Sequence, residues 1–175
     1  NYMPYAPWVQ HLNYLWTMKA TQAWEAYHKA GKTNEVTGRF FGTKPMIELY
    51  DTSVDPDNVN NLAKDPRYDK EVVRLSAALD KWQVENFDSA LLPESEMVKL
   101  SEDAGKTIYE VVRDPKLYDL KGLQKASSLA LTEAPTTLPA LYKLLGSKSA
   151  GIRYWGIVGC FNLQGKVSLD KKLIK

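Results

Sequence analysis

The feature that most constrains how this chain folds is an apolar repeat between residues 66 and 86. Its apolar positions recur at steps of four and three residues: Tyr68, Val72, Leu75, Leu79 and Trp82. That spacing places the side chains on one face of a helix. Asp65-Pro66 directly precedes it, and this pair suits an N-cap followed by a proline at the first helical position. The repeat therefore predicts an amphipathic helix over about 66–86.

The second half of the chain carries more helical patterns, separated by prolines and glycines. Helices are predicted at about 95–113, 120–130, 138–145 and 152–163. Gly146 and Gly165 follow the last two, where a glycine often ends a helix. Short helices joined by tight turns, each covering its apolar face only by stacking on the next, are typical of an α-solenoid. We therefore predict HEAT-like helix pairs at the C-terminus.

The first fifty residues combine two patterns. After Pro7, apolar residues at helical spacing predict a helix that ends at Gly31. Residues 39–41 (Arg-Phe-Phe) and 46–50 (Met-Ile-Glu-Leu-Tyr) instead look like short extended segments bounded by glycine and proline. We expect a small antiparallel β element near 36–50, although two short strands do not form a stable sheet alone.

These patterns predict a mainly α protein of the α+β type, helical apart from the small β element. The length of 175 residues allows one domain or two small ones. We place a first region at 1–93 and a helical, HEAT-like extension at 94–175. Because the chain begins with Asn1 and not with methionine, we expect it to be a piece of a longer or processed protein.

Composition excludes several classes of function. The net charge of +2, with scattered basic residues, does not point to nucleic acid. No apolar run approaches the roughly 20 residues that span a bilayer, so no membrane partner is expected. A single cysteine, Cys160, allows no internal disulfide, and two histidines are too few for a histidine-rich metal site. Phosphate-binding and nucleophile-elbow glycine motifs are absent.

Acidic residues cluster in the segment 48–66, ELYDTSVDPDNVNNLAKDP. Asp51, Asp55 and Asp57 raise the possibility of a calcium loop, but the glycine and the terminal glutamate of such a loop are missing. Capping and turn formation explain Asp55 and Asp65 more simply, because aspartate side chains accept hydrogen bonds from nearby backbone N–H groups. We predict no metal ligands in this chain.

Candidate binding residues lie in the first forty positions. Trp8 belongs to an aromatic group for which packing is the simpler explanation and a sugar-facing surface the alternative. Gln10, His11 and Arg39 are the polar candidates, although such residues are often merely solvated.

Several stretches resemble a known family: YMPYAPWVQHLNYLW, RFFGTKPMIELYDTSVDPDNVNNLAKDPRY, LSAALDKWQ and LLPESEM. They are similar to the C-terminal part of bacterial sulfatases of the alkaline-phosphatase-like superfamily, over about residues 1–97. The strongest match is ELYDTSVDPDNVNNLA. The part around IRYWGIVG resembles, more weakly, the HEAT-like extension of some of these sulfatases.

The resemblance implies a formylglycine, made from Cys or Ser in a Cys/Ser-x-Pro-x-Arg motif, and a calcium ion. Neither group is expected here, because that motif and an N-terminal Asp-Asp pair are absent and Cys160 is followed by Phe-Asn-Leu. Without a nucleophile and a cation, the chain cannot attack sulfur. We therefore expect no catalytic residue and no activity in this chain alone; both cofactors are expected in a catalytic domain outside it.

The resemblance also implies a C-terminal subdomain that packs beside the catalytic domain and lines part of the substrate pocket. Gln10 and His11, then Arg39 and Trp8, are the residues expected to meet a sulfated carbohydrate. Periplasmic or extracellular localisation is implied in the same way. The alternative is a standalone helical scaffold that binds a protein partner; a formylglycine motif encoded upstream of Asn1 would favour the sulfatase, and a start codon directly before Asn1 the scaffold.

Overall fold

The computed structural model describes residues 1–170, and within them the protein is mainly helical. The helices, in chain order, are α1 (Asn13–Thr17), α2 (Lys19–Lys29), α3 (Glu35–Gly38), α4 (Asp69–Glu85), α5 (Glu94–Ala104), α6 (Ile108–Val111), α7 (Leu120–Leu131), α8 (Leu138–Leu145) and α9 (Ala150–Asn162). The mainly α fold class is thus confirmed. None of the helices among residues 1–170 combines the length and apolar character needed to cross a bilayer.

The chain forms two compact units, Asn1–Val72 and a second that begins at Val73. The change of unit falls inside α4, whose first residues belong to the first unit. The sequence-based division at 93/94 stays a prediction.

The expected β element near 36–50 is wrong: residues 1–170 contain no sheet. Local hydrogen bonding explains the difference. The Asn34 and Thr37 side chains form a capping box that starts α3, and a 3₁₀ turn at Arg39–Phe41 continues the helical backbone. Leu49, predicted to lie in a strand, hydrogen-bonds through its N–H to the Asn61 side chain. The Leu49 carbonyl accepts a hydrogen bond from the Leu62 N–H. The Leu49 backbone is thus paired with a loop and not with a strand.

The helix predicted from Pro7 to Gly31 is interrupted in two ways. The N–H groups of Trp8 and Val9 donate to the carbonyls of Gly42 and Phe40, and residues 8 and 9 form a bend instead of a helix. Met18, with φ −76° and ψ 127°, then separates α1 from α2. Gly31 follows α2 with φ +69°, as its predicted role at the helix end requires.

The single helix predicted at 95–113 is also wrong, because α5 and α6 are separate. Gly105 adopts φ +59° at the end of α5, in the left-handed region that stops a helix. Thr107 then begins α6 with a capping box, in which it exchanges hydrogen bonds with Glu110.

Three predicted helices, now α7, α8 and α9, are confirmed and build the core of the second unit. Leu123, Leu141 and Leu163 are at most 2% exposed there. Gly159 lets α9 approach α7, because a Cβ at this position would lie 3.0 Å from the Ala130 Cα. A HEAT-like classification of this group stays a prediction.

Helix α4 is present as predicted, but its apolar stripe is not covered within the described residues. Leu75, Leu79 and Trp82 are 43%, 49% and 54% exposed. The buried residue of α4 is Gln83, a polar one, which exchanges hydrogen bonds with Gln124 and Asp88.

Candidate functional site

A cavity of about 350 Å³ opens within the first unit. Its lining combines aromatic, charged, aliphatic and amide side chains from four segments of the sequence: Trp8, Val36, Arg39, Phe40, Glu48, Tyr50, Asp57, Asn58 and Val59. The volume lies at the lower end of the range of small-molecule sites, about 300–1,000 Å³. Two of the residues selected from the sequence, Trp8 and Arg39, are therefore brought together here.

Arg39 connects the α3 region to the turn at 57–59. Its guanidinium donates to the Val59 carbonyl at 2.7 Å and to the Asn58 carbonyl at 3.4 Å. Asn58 has φ +53°, a left-handed conformation that asparagine tolerates better than most residues. Only two of the five arginine N–H donors are used in hydrogen bonds within residues 1–170, so the side chain retains donors for a ligand.

Asp55 fixes the loop that supplies those carbonyls. Its carboxylate accepts hydrogen bonds from the backbone N–H groups of Val59, at 3.0 Å, and Asn60, at 2.7 Å. The residue is only 9% exposed. Asp51 acts in the same way: its Oδ1 accepts a hydrogen bond from the N–H of Ser53, two residues later in the chain. The turn-forming role predicted for Asp55 is therefore what the structure shows.

Asp65 accepts a hydrogen bond from the Arg67 N–H and caps the 3₁₀ turn that leads into α4, as predicted. Asp55 does not begin a helix, so the capping part of its predicted role is wrong. Among residues 1–170, no group of three side chains suited to a metal ion comes together.

Glu48 and Tyr50 form a paired wall of the cavity. The Tyr50 hydroxyl donates to Glu48 Oε1 at 2.6 Å. Burial and this hydrogen bond raise the pKa of Tyr50 to about 12, while nearby Arg39 opposes the shift. Tyr50 thus stays protonated well above neutral pH, and it holds the Glu48 carboxylate in place.

Aromatic rings build another wall. Phe40 stacks on Trp24, with ring centroids 4.6 Å apart and an interplanar angle of 11°, and it meets Phe41 edge-on. Trp8 is held through its backbone N–H to Gly42. Its indole Nε1–H is buried and has no hydrogen-bond partner within residues 1–170.

The other two candidates lie outside this cavity lining. Gln10 and His11 are exposed, and the His11 ring lies 4.6 Å from that of Trp16. Their predicted contact with substrate stays a prediction. Glu48, Tyr50 and Asp57 were not selected from the sequence. The spacing of Glu48 and Tyr50 was a usable signal, since residues two apart in an extended segment share a side.

Cys160 is 1% exposed, on α9. Burial raises the pKa of its thiol. A buried thiol with a raised pKa is a poor nucleophile, because the thiolate is the reactive form.

Comparison with known proteins supports the resemblance in part. No family model and no solved structure matches this chain. Over 118 residues the chain is 33% identical to an ulvan-active sulfatase of Formosa agariphila. The match covers 67% of this chain and 20% of that protein, so the chain spans about a fifth of the relative's length. Much of this chain is therefore a sulfatase-related region.

Proposed function

We propose that this chain is a non-catalytic portion of a sulfatase that hydrolyses sulfate esters or N-sulfates of sulfated carbohydrate. The observation that supports this most is the 118-residue similarity to an ulvan-active sulfatase. Any 118-residue stretch of a 175-residue chain includes residues 58–118, so α4 and α5 lie within the matched region.

The chemistry of sulfate cleavage belongs to another part of the enzyme. The chain has no Cys/Ser-x-Pro-x-Arg motif, and its one cysteine is buried on a helix. Formylglycine and calcium do not fit the residues present and are assigned to a catalytic region outside these 175 residues. Periplasmic or extracellular localisation is part of the same proposal.

The exposed stripe of α4, defined by Leu75, Leu79 and Trp82, is the surface that packs on the catalytic region. A 17-residue helix owes most of its stability to tertiary packing, and this one leaves its apolar face in water. The stripe lies within the matched region, and the relative is about five times longer than the part matched. Additional sulfatase polypeptide is therefore the occupant we assign to it.

The substrate contacts are assigned to the first unit. Trp8 and Arg39 line the cavity, and Gln10 and His11 lie near Trp8 in the sequence. His11→Ala in the full-length enzyme is expected to raise KM for a sulfated sugar without changing the unfolding midpoint.

The decisive experiment compares the purified 175-residue chain with the full-length product of the same gene on a panel of sulfated glycans. Sulfate release is expected from the full-length protein only. Activity in the 175-residue chain would contradict the proposal, as would a gene whose product starts at Asn1 and contains no upstream formylglycine motif.

Two matched variants test the packing surface. Leu79→Asp places a charge in the stripe, whereas Val73→Asp places one on the other side of α4, at a residue that is 69% exposed. In the full-length protein only Leu79→Asp should lower the unfolding midpoint and the sulfatase activity. If both variants changed the unfolding midpoint and the activity equally, the assignment of the stripe to the interface would be wrong.

A further inference from the structure

We propose that the cavity of the first unit binds a neutral sugar ring, an unsulfated unit of the carbohydrate chain and not the sulfated group itself. This rests on the proposed function for the choice of polymer, but it makes a separate claim about which part of the polymer is held here. The volume of about 350 Å³ suits one small ring with its substituents.

The walls suit the two kinds of surface that a pyranose presents. Trp8 and Phe40 supply flat apolar area for the ring's C–H groups, and stacking on Trp24 keeps Phe40 in a fixed orientation. Glu48, Asp57 and the Arg39 guanidinium supply acceptors and donors for hydroxyl groups around the ring edge. Apolar walls with a few placed polar groups are the usual composition of a small-molecule site.

The charges at the cavity argue against a sulfate group. The lining holds two carboxylates, Glu48 and Asp57, and one cation, Arg39. Two of the five donors of Arg39 are held by the carbonyls of Asn58 and Val59. A sulfate placed among these groups would meet more negative than positive charge and would be repelled. Hydroxyl groups, in contrast, donate readily to carboxylates, and Asp57 makes no hydrogen bond within residues 1–170 that would compete.

Trp8 contributes the face of its ring to the site and not its N–H group. The indole Nε1 is buried so completely that a molecule in the cavity does not reach it, and it has no acceptor in the described part of the chain. The ring itself lines the cavity, so a bound sugar would change its surroundings.

The test measures binding to the 175-residue chain by two-dimensional NMR. The chain has five tryptophans, so its indole N–H resonances can be assigned individually by Trp→Phe substitution. The probes are methyl glycosides of a hexose, a 6-deoxyhexose and an N-acetylhexosamine, each compared with a monosulfated counterpart. We expect the Trp8 indole resonance to shift with at least one neutral glycoside, which binds about tenfold more tightly than its sulfated form.

Three variants assign the effect to the cavity. Trp8→Phe reduces the flat aromatic area of the cavity wall and should weaken neutral-sugar binding about fivefold. Asp57→Asn, at an exposed position, should reduce the ratio of the affinities for the neutral and the sulfated glycoside about threefold or more. Trp82→Phe, on α4 and outside the cavity lining, is the matched control and should change neither value.

Each opposite outcome overturns the proposal. Absence of binding across the neutral panel, tighter binding of the sulfated forms, or unaltered affinity in both Trp8→Phe and Asp57→Asn would each do so. Because these measurements need no sulfatase activity, their failure leaves the proposed function standing. Conversely, if the full-length protein had no sulfatase activity, the proposed sugar-binding site would not be contradicted by that result alone.

Discussion

Replacing Asp55 with alanine should unfold the corner that forms one side of the cavity. The carboxylate is 9% exposed and accepts two backbone hydrogen bonds, from Val59 and Asn60. A hydrogen bond to a charged group contributes about 1.5–3 kcal/mol. Since both bonds share one carboxylate and water can reach the freed amides, we expect a loss of about 2–4 kcal/mol in local stability and not the full sum.

Hydrogen exchange followed by NMR measures this loss directly. The amides of Val59 and Asn60 should lose at least about 30-fold of their protection in Asp55→Ala, because about 1.4 kcal/mol corresponds to a factor of ten. Asp55→Asn retains one acceptor oxygen and should lie between the wild type and the alanine variant. The Arg39 hydrogen bonds to the carbonyls of Asn58 and Val59 should weaken as well.

Asp57→Ala is the matched control, since Asp57 is exposed and makes no hydrogen bond within residues 1–170. Its effect on stability should stay within about 0.5 kcal/mol. If Asp55→Ala and Asp57→Ala gave the same exchange rates at Val59 and Asn60, the structural role assigned to the Asp55 carboxylate would be refuted.

Three further outcomes follow from the structure. Gly159→Ala should lower the unfolding free energy by about 1–3 kcal/mol in urea denaturation, because the new methyl meets the Ala130 backbone and Leu141; an unchanged midpoint would contradict the close approach of α9. Trp155→Phe should cost about 1–3 kcal/mol, since the buried Leu91 carbonyl loses its indole donor at 2.9 Å, and thermal unfolding measures it. The pKa of Tyr50, raised to about 12, means that the folded state keeps a proton the unfolded state releases near pH 10. Its contribution to the free energy of unfolding is complete below pH 10 and is lost as the pH rises from 10 to about 12. In Tyr50→Phe the free energy of unfolding should therefore fall less steeply over this pH range. An equally steep fall in both proteins would contradict the raised pKa of Tyr50.

The amino-acid sequence predicted elements whose signals are local. The apolar spacing of α4 and α7–α9, the cap at Asp65 and the helix end at Gly31 all depend on residues within a turn or two of each other. Where local signals compete, residue type alone is misleading: Arg-Phe-Phe at 39–41 is predicted to be extended, yet the Asn34 capping box directs it into helical turns. The glycine at 105 divided a helix that apolar spacing alone joined together.

The candidate site was predictable only in part. Trp8 and Arg39 stood out by residue type, but nothing in their spacing connects them to Glu48, Tyr50 or Asp57. Those residues were assigned to a strand and a turn, because their sequence neighbours fit such elements.

The sequence by itself determined α4 and α7–α9 and a resemblance to sulfatases, since periodicity, capping residues and shared segments depend on neighbouring positions. The tertiary structure decided which distant residues meet and which apolar surface stays uncovered. Arg39 reaches the carbonyl of Val59 across twenty positions, and the stripe of α4 remains exposed although its spacing is that of a buried face. A periodic pattern specifies which side of a helix is apolar; only packing specifies what, if anything, covers it.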